Sequence, residues 1–136
     1  MRPIHHPLWA VVLLSAGFAF VPARPDAQAP DQIQIEQTSV KADDGVTTEG
    51  TLYWIPSKRP KTVVVTMHPN DDRQRHYMLR PAAERGFAGY GMKSRWWGEH
   101  GIHEELLLDI AAAVRYLKNE RGFEKVVFTG QSGGGS

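Results

Sequence analysis

The tetrapeptide Glu-Arg-Gly-Phe occurs twice, at residues 84–87 and 120–123, each time between a helical pattern and a short strand-like run. In both copies the glycine can take the left-handed conformation that ends a helix, and the phenylalanine after it can cover the last turn. Two helix-to-strand exits of the same kind constrain the chain strongly, because the segments around them then read strand, helix, strand, helix, strand. The first strand is Lys-Thr-Val-Val-Val-Thr-Met-His at residues 61–68, a β-branched run without polar alternation, as in a strand covered on both faces. The second is Phe-Ala-Gly-Tyr-Gly-Met-Lys at residues 87–93, with Gly89 and Gly91 on one face, where a neighbouring element can approach closely. The third, Lys-Val-Val-Phe at residues 125–128, reads as another buried strand. Right-handed crossovers place such strands in one parallel sheet.

The intervening segments are less equal. Leu106, Ile110, Ala113 or Val114, and Leu117 recur at spacings of three and four, an amphipathic helix over residues 103–121. Residues 69–87 are expected to be helical in part: Asp71 and Asp72 suit a positive helix start, and Pro81 must kink the helix or begin it afresh. Ahead of this unit, Ile-Gln-Ile-Glu-Gln alternates from Ile33, Asp44-Gly45 supplies a turn, and Glu-Gly-Thr-Leu-Tyr-Trp-Ile resumes the strand pattern before Pro56. The expected fold class is therefore α/β, an N-terminal antiparallel hairpin appended at an edge of a βαβαβ parallel sheet.

The N-terminus is a different material. Residues 8–21 are apolar apart from Ser15, Arg2 makes a short basic start, and proline stands on either side at Pro7 and Pro22. A run of about 14 residues falls short of the ~20 that span a bilayer core, so a secretory signal peptide over residues 1–23 fits better than a membrane anchor. Cleavage after Ala23 suits the small-residue rule; Ala27-Gln28-Ala29 also matches, although Pro30 follows it. Residues 24–32 carry turn signals and no periodicity, a flexible leader to a domain over residues 33–136. Export to the periplasm or the extracellular space is expected, with no stable membrane span after cleavage.

Composition narrows the chemistry. Of 136 residues, 41% are hydrophobic and 23% charged, which suits one globular domain. The 16 basic and 15 acidic residues give a net charge of +1, and loss of residues 1–23 removes only Arg2, so nothing steers the chain towards nucleic acid. With no cysteine, disulfides, thiolate metal sites and a cysteine nucleophile are excluded. His100-Gly101-Ile102-His103-Glu104 offers two histidines at a loop-helix junction, short of the three or four ligands a zinc site converges on, so no metal is expected.

The third strand runs into Gly130-Gln131-Ser132-Gly133-Gly134, a G-x-S-x-G motif. After a buried strand this motif makes a sharp turn into a helix. Ser132 then sits at a strained apex, Gly130 and Gly134 leave room for the reversal, and the Gly133 N–H points where charge develops on an attacked carbonyl. The bland alternative is a linker, since the chain closes on Gly-Gly-Gly-Ser.

The order hairpin, strand ending in His-Pro, helix, strand, helix, strand, G-x-S-x-G resembles the N-terminal half of the α/β-hydrolase superfamily of esterases, lipases and peptidases, over residues 33–136. The resemblance implies an incomplete α/β-hydrolase fold with Ser132 as nucleophile and a second oxyanion donor in the loop beginning His68-Pro69-Asn70-Asp71. Pro69 has no N–H, so that donor would be Asn70 or Asp71, with His68 and Pro69 shaping the loop. The segment after the next strand borders the site, and Trp96 and Trp97 would either line a substrate cleft or cap the sheet. The family's acid and histidine follow the serine, and only four residues follow Ser132 here. An ester-like small-molecule substrate and no cofactor are implied. The competing expectation is a secreted α/β module that binds without turnover.

Overall fold

The computed structural model describes residues 31–98, 101 and 103–130. The segment read as a signal peptide, most of the leader, and Gln131, Ser132, Gly133 and Gly134 lie outside the described residues. Five strands, β1 (Gln34–Lys41), β2 (Thr47–Trp54), β3 (Thr62–Thr66), β4 (Ala88–Met92) and β5 (Lys125–Thr129), form one mixed sheet in the order β1-β2-β4-β3-β5. The hairpin β1–β2 closes on Gly45 at φ 89°, where the Ala42 N–H donates to Val46 O at 2.8 Å and the Asp44 side chain accepts from the Val46 N–H. β2 lies antiparallel to β4, and β3 runs parallel to both β4 and β5. This is a small α/β domain, with the hairpin placed as its alternation indicates.

Helix α1 (Leu79–Glu84) connects β3 to β4, and α2 (Leu106–Arg115) connects β4 to β5. The second connection crosses back over β3 in the opposite direction, so crossovers of one hand put the two helices on opposite faces. The packing follows suit. Leu79 and Ala83 bury against Tyr53 and Ile55 on one face, while Ala113 and Leu117 bury against Leu52, Val63, Val65, Tyr90 and Phe123 on the other. Both Glu-Arg-Gly-Phe copies end their helices through a left-handed glycine, Gly86 at φ 88° and Gly122 at φ 74°. In the first copy the Phe87 N–H reaches Ala82 O and the Gly86 N–H reaches Ala83 O, each at 3.0 Å, the paired bonds of a Schellman end. Phe123 is buried, whereas Phe87 remains exposed.

Gly89 and Gly91 are the clearances expected of them. A Cβ on Gly89 would lie 2.8 Å from Leu79 O, and one on Gly91 would lie 2.1 Å from Arg73 O. On the opposite face of β2, Gly50 makes the space filled by the ring of Tyr90. The Tyr90 hydroxyl shares a 2.9 Å hydrogen bond with Thr38, and burial pushes its pKa up to about 12.

Three expectations change. Residues 71–78 are turns rather than helix: the Asp71 carboxylate accepts from the Asp72 N–H, the Asp72 carboxylate accepts from the Gln74 N–H, and the Arg73 N–H donates to Met92 O. These local bonds compete with helix formation and lay the segment along the end of β4, so α1 starts only at Leu79, with Pro81 in its first turn. The second helix is shorter than expected, entered by a 3₁₀ turn (His103–Glu105) and left by a π turn (Tyr116–Glu120). Finally, β5 is not a buried strand. It forms the sheet edge among the described residues, and Phe128 is 41% exposed on it.

Candidate active site

The parallel register brings three strand ends together. Thr66 of β3 stands opposite Gly91 of β4 and Thr129 of β5, so the segments that follow all leave from the same edge of the sheet. These are the residues 67–72 loop, the residues 93–98 loop and the segment that begins at Gly130. Loops at the carboxyl ends of parallel strands are where such sheets carry ligands, because the backbone there is free of the ladder and the helices stand back from it.

The loop after β3 is held by the loop after β4. The Ser94 hydroxyl donates to Pro69 O and accepts the Trp96 N–H at 3.0 Å, and the Ser94 N–H donates to Asp71 O at 3.2 Å. The Gly98 N–H reaches Asn70 O at 3.4 Å, and Asp72 bridges to Lys93. The carbonyls of Pro69, Asn70 and Asp71 are thus all engaged, while two of the amides are held weakly. Among the described residues, the Asn70 N–H reaches only His68 Nδ1 at 3.4 Å, and the Asp71 N–H only His68 O at 3.5 Å. Both lie at the far limit of hydrogen bonding. Pro69 is buried in the loop, His68 is half-buried, and Asn70 is exposed.

Arg95 fixes the second loop to the body. Its guanidinium makes a two-pronged bond to Asp109 of α2, at 2.9 Å from Nε and 2.6 Å from one Nη. The other Nη lies 2.6 Å from Asp44 in the β1–β2 turn and 3.6 Å from Glu105. The side chains of Arg95 and Asp109 are only 6% and 3% exposed. The carboxylates raise the Arg95 pKa, and the Arg95 hydrogen bond lowers that of Asp44. Sequence reasoning missed this cluster. The available signal was Asp109 itself, an acid three residues after Leu106 and one before Ile110, on the stripe that buries; a buried carboxylate implies a cation.

The two tryptophans divide. Trp96 packs its ring over Gly101, and its indole Nε1 is buried without a hydrogen-bond partner. Trp97 is 56% exposed, with the Lys93 ammonium 5.2 Å from its ring centroid. Trp96 packs on the segment at Gly101, and Trp97 faces outward.

Beside Gly130 lies a cavity of about 220 Å³ lined by Thr66, Met67, Arg73, His76, Met78 and Thr129, among others. Among the described residues, Thr66 Oγ1 and His76 Nδ1 are buried without hydrogen-bond partners. Burial, with the nearby Arg73 charge, lowers the His76 pKa, so this imidazole is held neutral at pH 7. Among the described residues no group of three or more histidine or acidic side chains converges as metal ligands do, and no helix is long and apolar enough to cross a membrane.

Comparison with known proteins agrees with this geometry. No family model matches the chain, and no curated protein does. Solved structures do. An esterase from Pyrococcus furiosus matches with a TM-score of 0.56 at 19% identity, over 72% of this chain and 41% of that one. A cold-adapted esterase from an Arctic intertidal metagenomic library matches at 0.62 and 18%, over 82% and 54%. Oligopeptidase B from Leishmania major matches at 0.61 and 16%, over 75% and 17%. The fold is thus a partial α/β-hydrolase fold, shared with esterases and with prolyl oligopeptidase-family enzymes. The chain spans about half, or less, of the length of each of these proteins.

Proposed function

We propose that the chain is the nucleophile-bearing N-terminal part of an exported serine hydrolase that cleaves an ester-like acyl bond. The observation that supports the reading is the register Thr66 opposite Thr129, by which the segment carrying the weakly held Asn70 and Asp71 amides and the segment after Thr129 leave the same end of the sheet. In this reading the Ser132 hydroxyl attacks the carbonyl carbon, and the electron pair of the C=O bond moves onto oxygen. The Gly133 N–H and that of Asn70 or Asp71 stabilise the resulting oxyanion. Gly130, Gln131 and Gly134 form the elbow, and Ser94 keeps the donor loop in place through Pro69 and Asp71. The base that takes the serine proton and the acid that orients it are left unassigned in this chain, because in the family it resembles both follow the serine. The substrate is a small ester-like molecule and no cofactor takes part. Export rests on residues 1–23.

The fold-level likeness to esterases and an oligopeptidase supports an acyl-transfer reaction without choosing among its classes. A fluorophosphonate probe tests the reading on the protein carrying its complete domain. Stoichiometric labelling that disappears in Ser132→Ala is expected, and Asn70→Pro, which deletes the amide hydrogen, should slow labelling by about 10²-fold or more. Well-folded protein that takes no label would replace this reading with the binding module.

A further inference from the structure

Behind the Gly130 cavity, and sharing His76 and Tyr77 with it, a larger cavity of about 440 Å³ opens on the α1 face of the hairpin. Its walls are Ile35, Gln37, Tyr53, Arg75, His76, Tyr77 and Arg80. Three of these are large apolar or aromatic groups, and two are guanidinium groups; none is a carboxylate. Ile35 and Tyr77 are 47% and 74% exposed, so apolar groups line it at the surface.

The charges here are uncompensated. Neither Arg75 nor Arg80 has a carboxylate within 4.0 Å among the described residues, whereas Arg73, Arg95, Arg115 and Arg121 each do. Arg80 instead lies 6.0 Å over the Tyr53 ring. Asp72 and Glu49 line an adjoining cavity that shares Arg75 and Gln37 with this one, neither within 4.0 Å of Arg75. Asp72 accepts from the Gln74 backbone and side chain, and Glu49 pairs with Lys93 at 3.0 Å. The Thr51 hydroxyl has one proton to share between Gln37 Oε1 at 3.0 Å and Gln74 Oε1 at 3.1 Å, and the Gln37 amide adds N–H donors to the wall. The Tyr53 hydroxyl donates to Gln74 O, which fixes the floor. His76, held neutral by its burial, adds no charge of its own and separates this cavity from the one beside Gly130.

We propose that this cavity binds a small soluble molecule with an oxyanion head and an apolar body, such as an aromatic carboxylate or phosphate monoester. Arg75 and Arg80 hold the head, with Gln37 as a further donor, and the body lies against Ile35, Tyr53 and Tyr77. Guanidinium groups suit oxyanions because their parallel N–H groups match two oxygens at once, and they are less strongly hydrated than an ammonium. A cavity of this volume lies within the range that encloses such a ligand. The site uses no residue of the proposed catalytic set, so it stands whether or not Ser132 is a nucleophile.

Calorimetric titration of the Ser132→Ala protein with phenyl phosphate, benzoate and benzyl alcohol tests it without turnover. Saturable binding of either anion is expected, weakening as salt is raised, with no saturation by benzyl alcohol. Arg75→Gln combined with Arg80→Gln should weaken binding by about tenfold or more for each arginine removed. Arg115→Gln, which removes the same charge from a residue paired with Asp43, should leave it unchanged. Both arginines of the cavity are exposed at the surface, so the double variant is expected to keep the far-ultraviolet dichroism of the parent. The proposal is overturned if neither anion saturates at millimolar concentration, if benzyl alcohol binds as tightly as the anions, or if Arg115→Gln weakens binding as much as the double variant.

Discussion

Replacing Arg95 by methionine keeps much of its volume and removes its charge, and the structure gives the cost. Asp109 has no hydrogen-bond partner other than Arg95 among the described residues, and its side chain is 3% exposed. The variant therefore strands a buried carboxylate, a change worth about 3–5 kcal/mol. That is a large fraction of the ~5–15 kcal/mol that holds a typical domain together. The converse substitution is milder. Asp109→Asn leaves Arg95 its 2.6 Å bond to Asp44 and the more distant Glu105, and should cost about 1.5–3 kcal/mol, as the loss of one charged hydrogen-bond partner does. The combined Arg95→Met and Asp109→Leu change removes both buried charges, and should lie well above Arg95→Met alone in stability, because hydrophobic replacement of a buried pair is often neutral or better. Asp44 and Glu105 tolerate the loss, since both side chains are about a third exposed. Equilibrium urea unfolding of the four proteins, with a common slope, ranks them. The reasoning fails if Arg95→Met costs less than Asp109→Asn, or if the double change costs as much as Arg95→Met alone or more.

Other consequences follow from single contacts. Tyr90 holds its proton more tightly folded than unfolded, so its contribution is complete below pH 10 and lost as pH rises towards 12; by linkage this amounts to about 2–3 kcal/mol, read as a fall in stability that Tyr90→Phe lacks. Gly91→Ala would drive a methyl into the Arg73 and Gln74 backbone, which has no flexible end to yield, and should destabilise by about 1–3 kcal/mol or more in thermal unfolding. Ser94→Ala removes the donor to Pro69 O and the acceptor for the Trp96 N–H. It should cost about 1–3 kcal/mol, and in the complete enzyme slow fluorophosphonate labelling without abolishing it; unchanged labelling would separate Ser94 from the donor loop. The chain as it stands should aggregate through β5, and Phe128→Lys should raise its soluble yield; an equally soluble parent would count against the exposed edge as the cause.

Local patterns reached far into this protein. The repeated Glu-Arg-Gly-Phe signals gave both helix ends, the β-branched run gave β3, and the glycine pair in β4 gave the face where the chain packs closest, since each depends on the conformational reach of one or two residues. The hairpin and its Asp-Gly turn were legible for the same reason. Which strand lies beside which was not. The order β1-β2-β4-β3-β5 depends on the handedness of crossovers and on burial shared between distant segments. The stretch from Asp71 to Met78 misled because carboxylates that suit a helix start also capture nearby amides, and only contact with the end of β4 decided between the two.

The candidate site divides along the same line. Ser132, Gly133 and the His68-Pro69-Asn70-Asp71 loop were named from motif and order, because the chemistry dictates residue type and spacing within a few positions. That the donor loop hangs from Ser94, that Arg95 ties the neighbouring loop to Asp109 and Asp44, and that Arg75 and Arg80 meet at one cavity are facts of tertiary structure. Each joins residues separated in the chain, and side-chain pairing across such distances leaves no periodic trace. The sequence by itself determined what the strands, turns and helix ends could be; the folded sheet decided which charges are buried, which are paired, and which are left to meet a ligand.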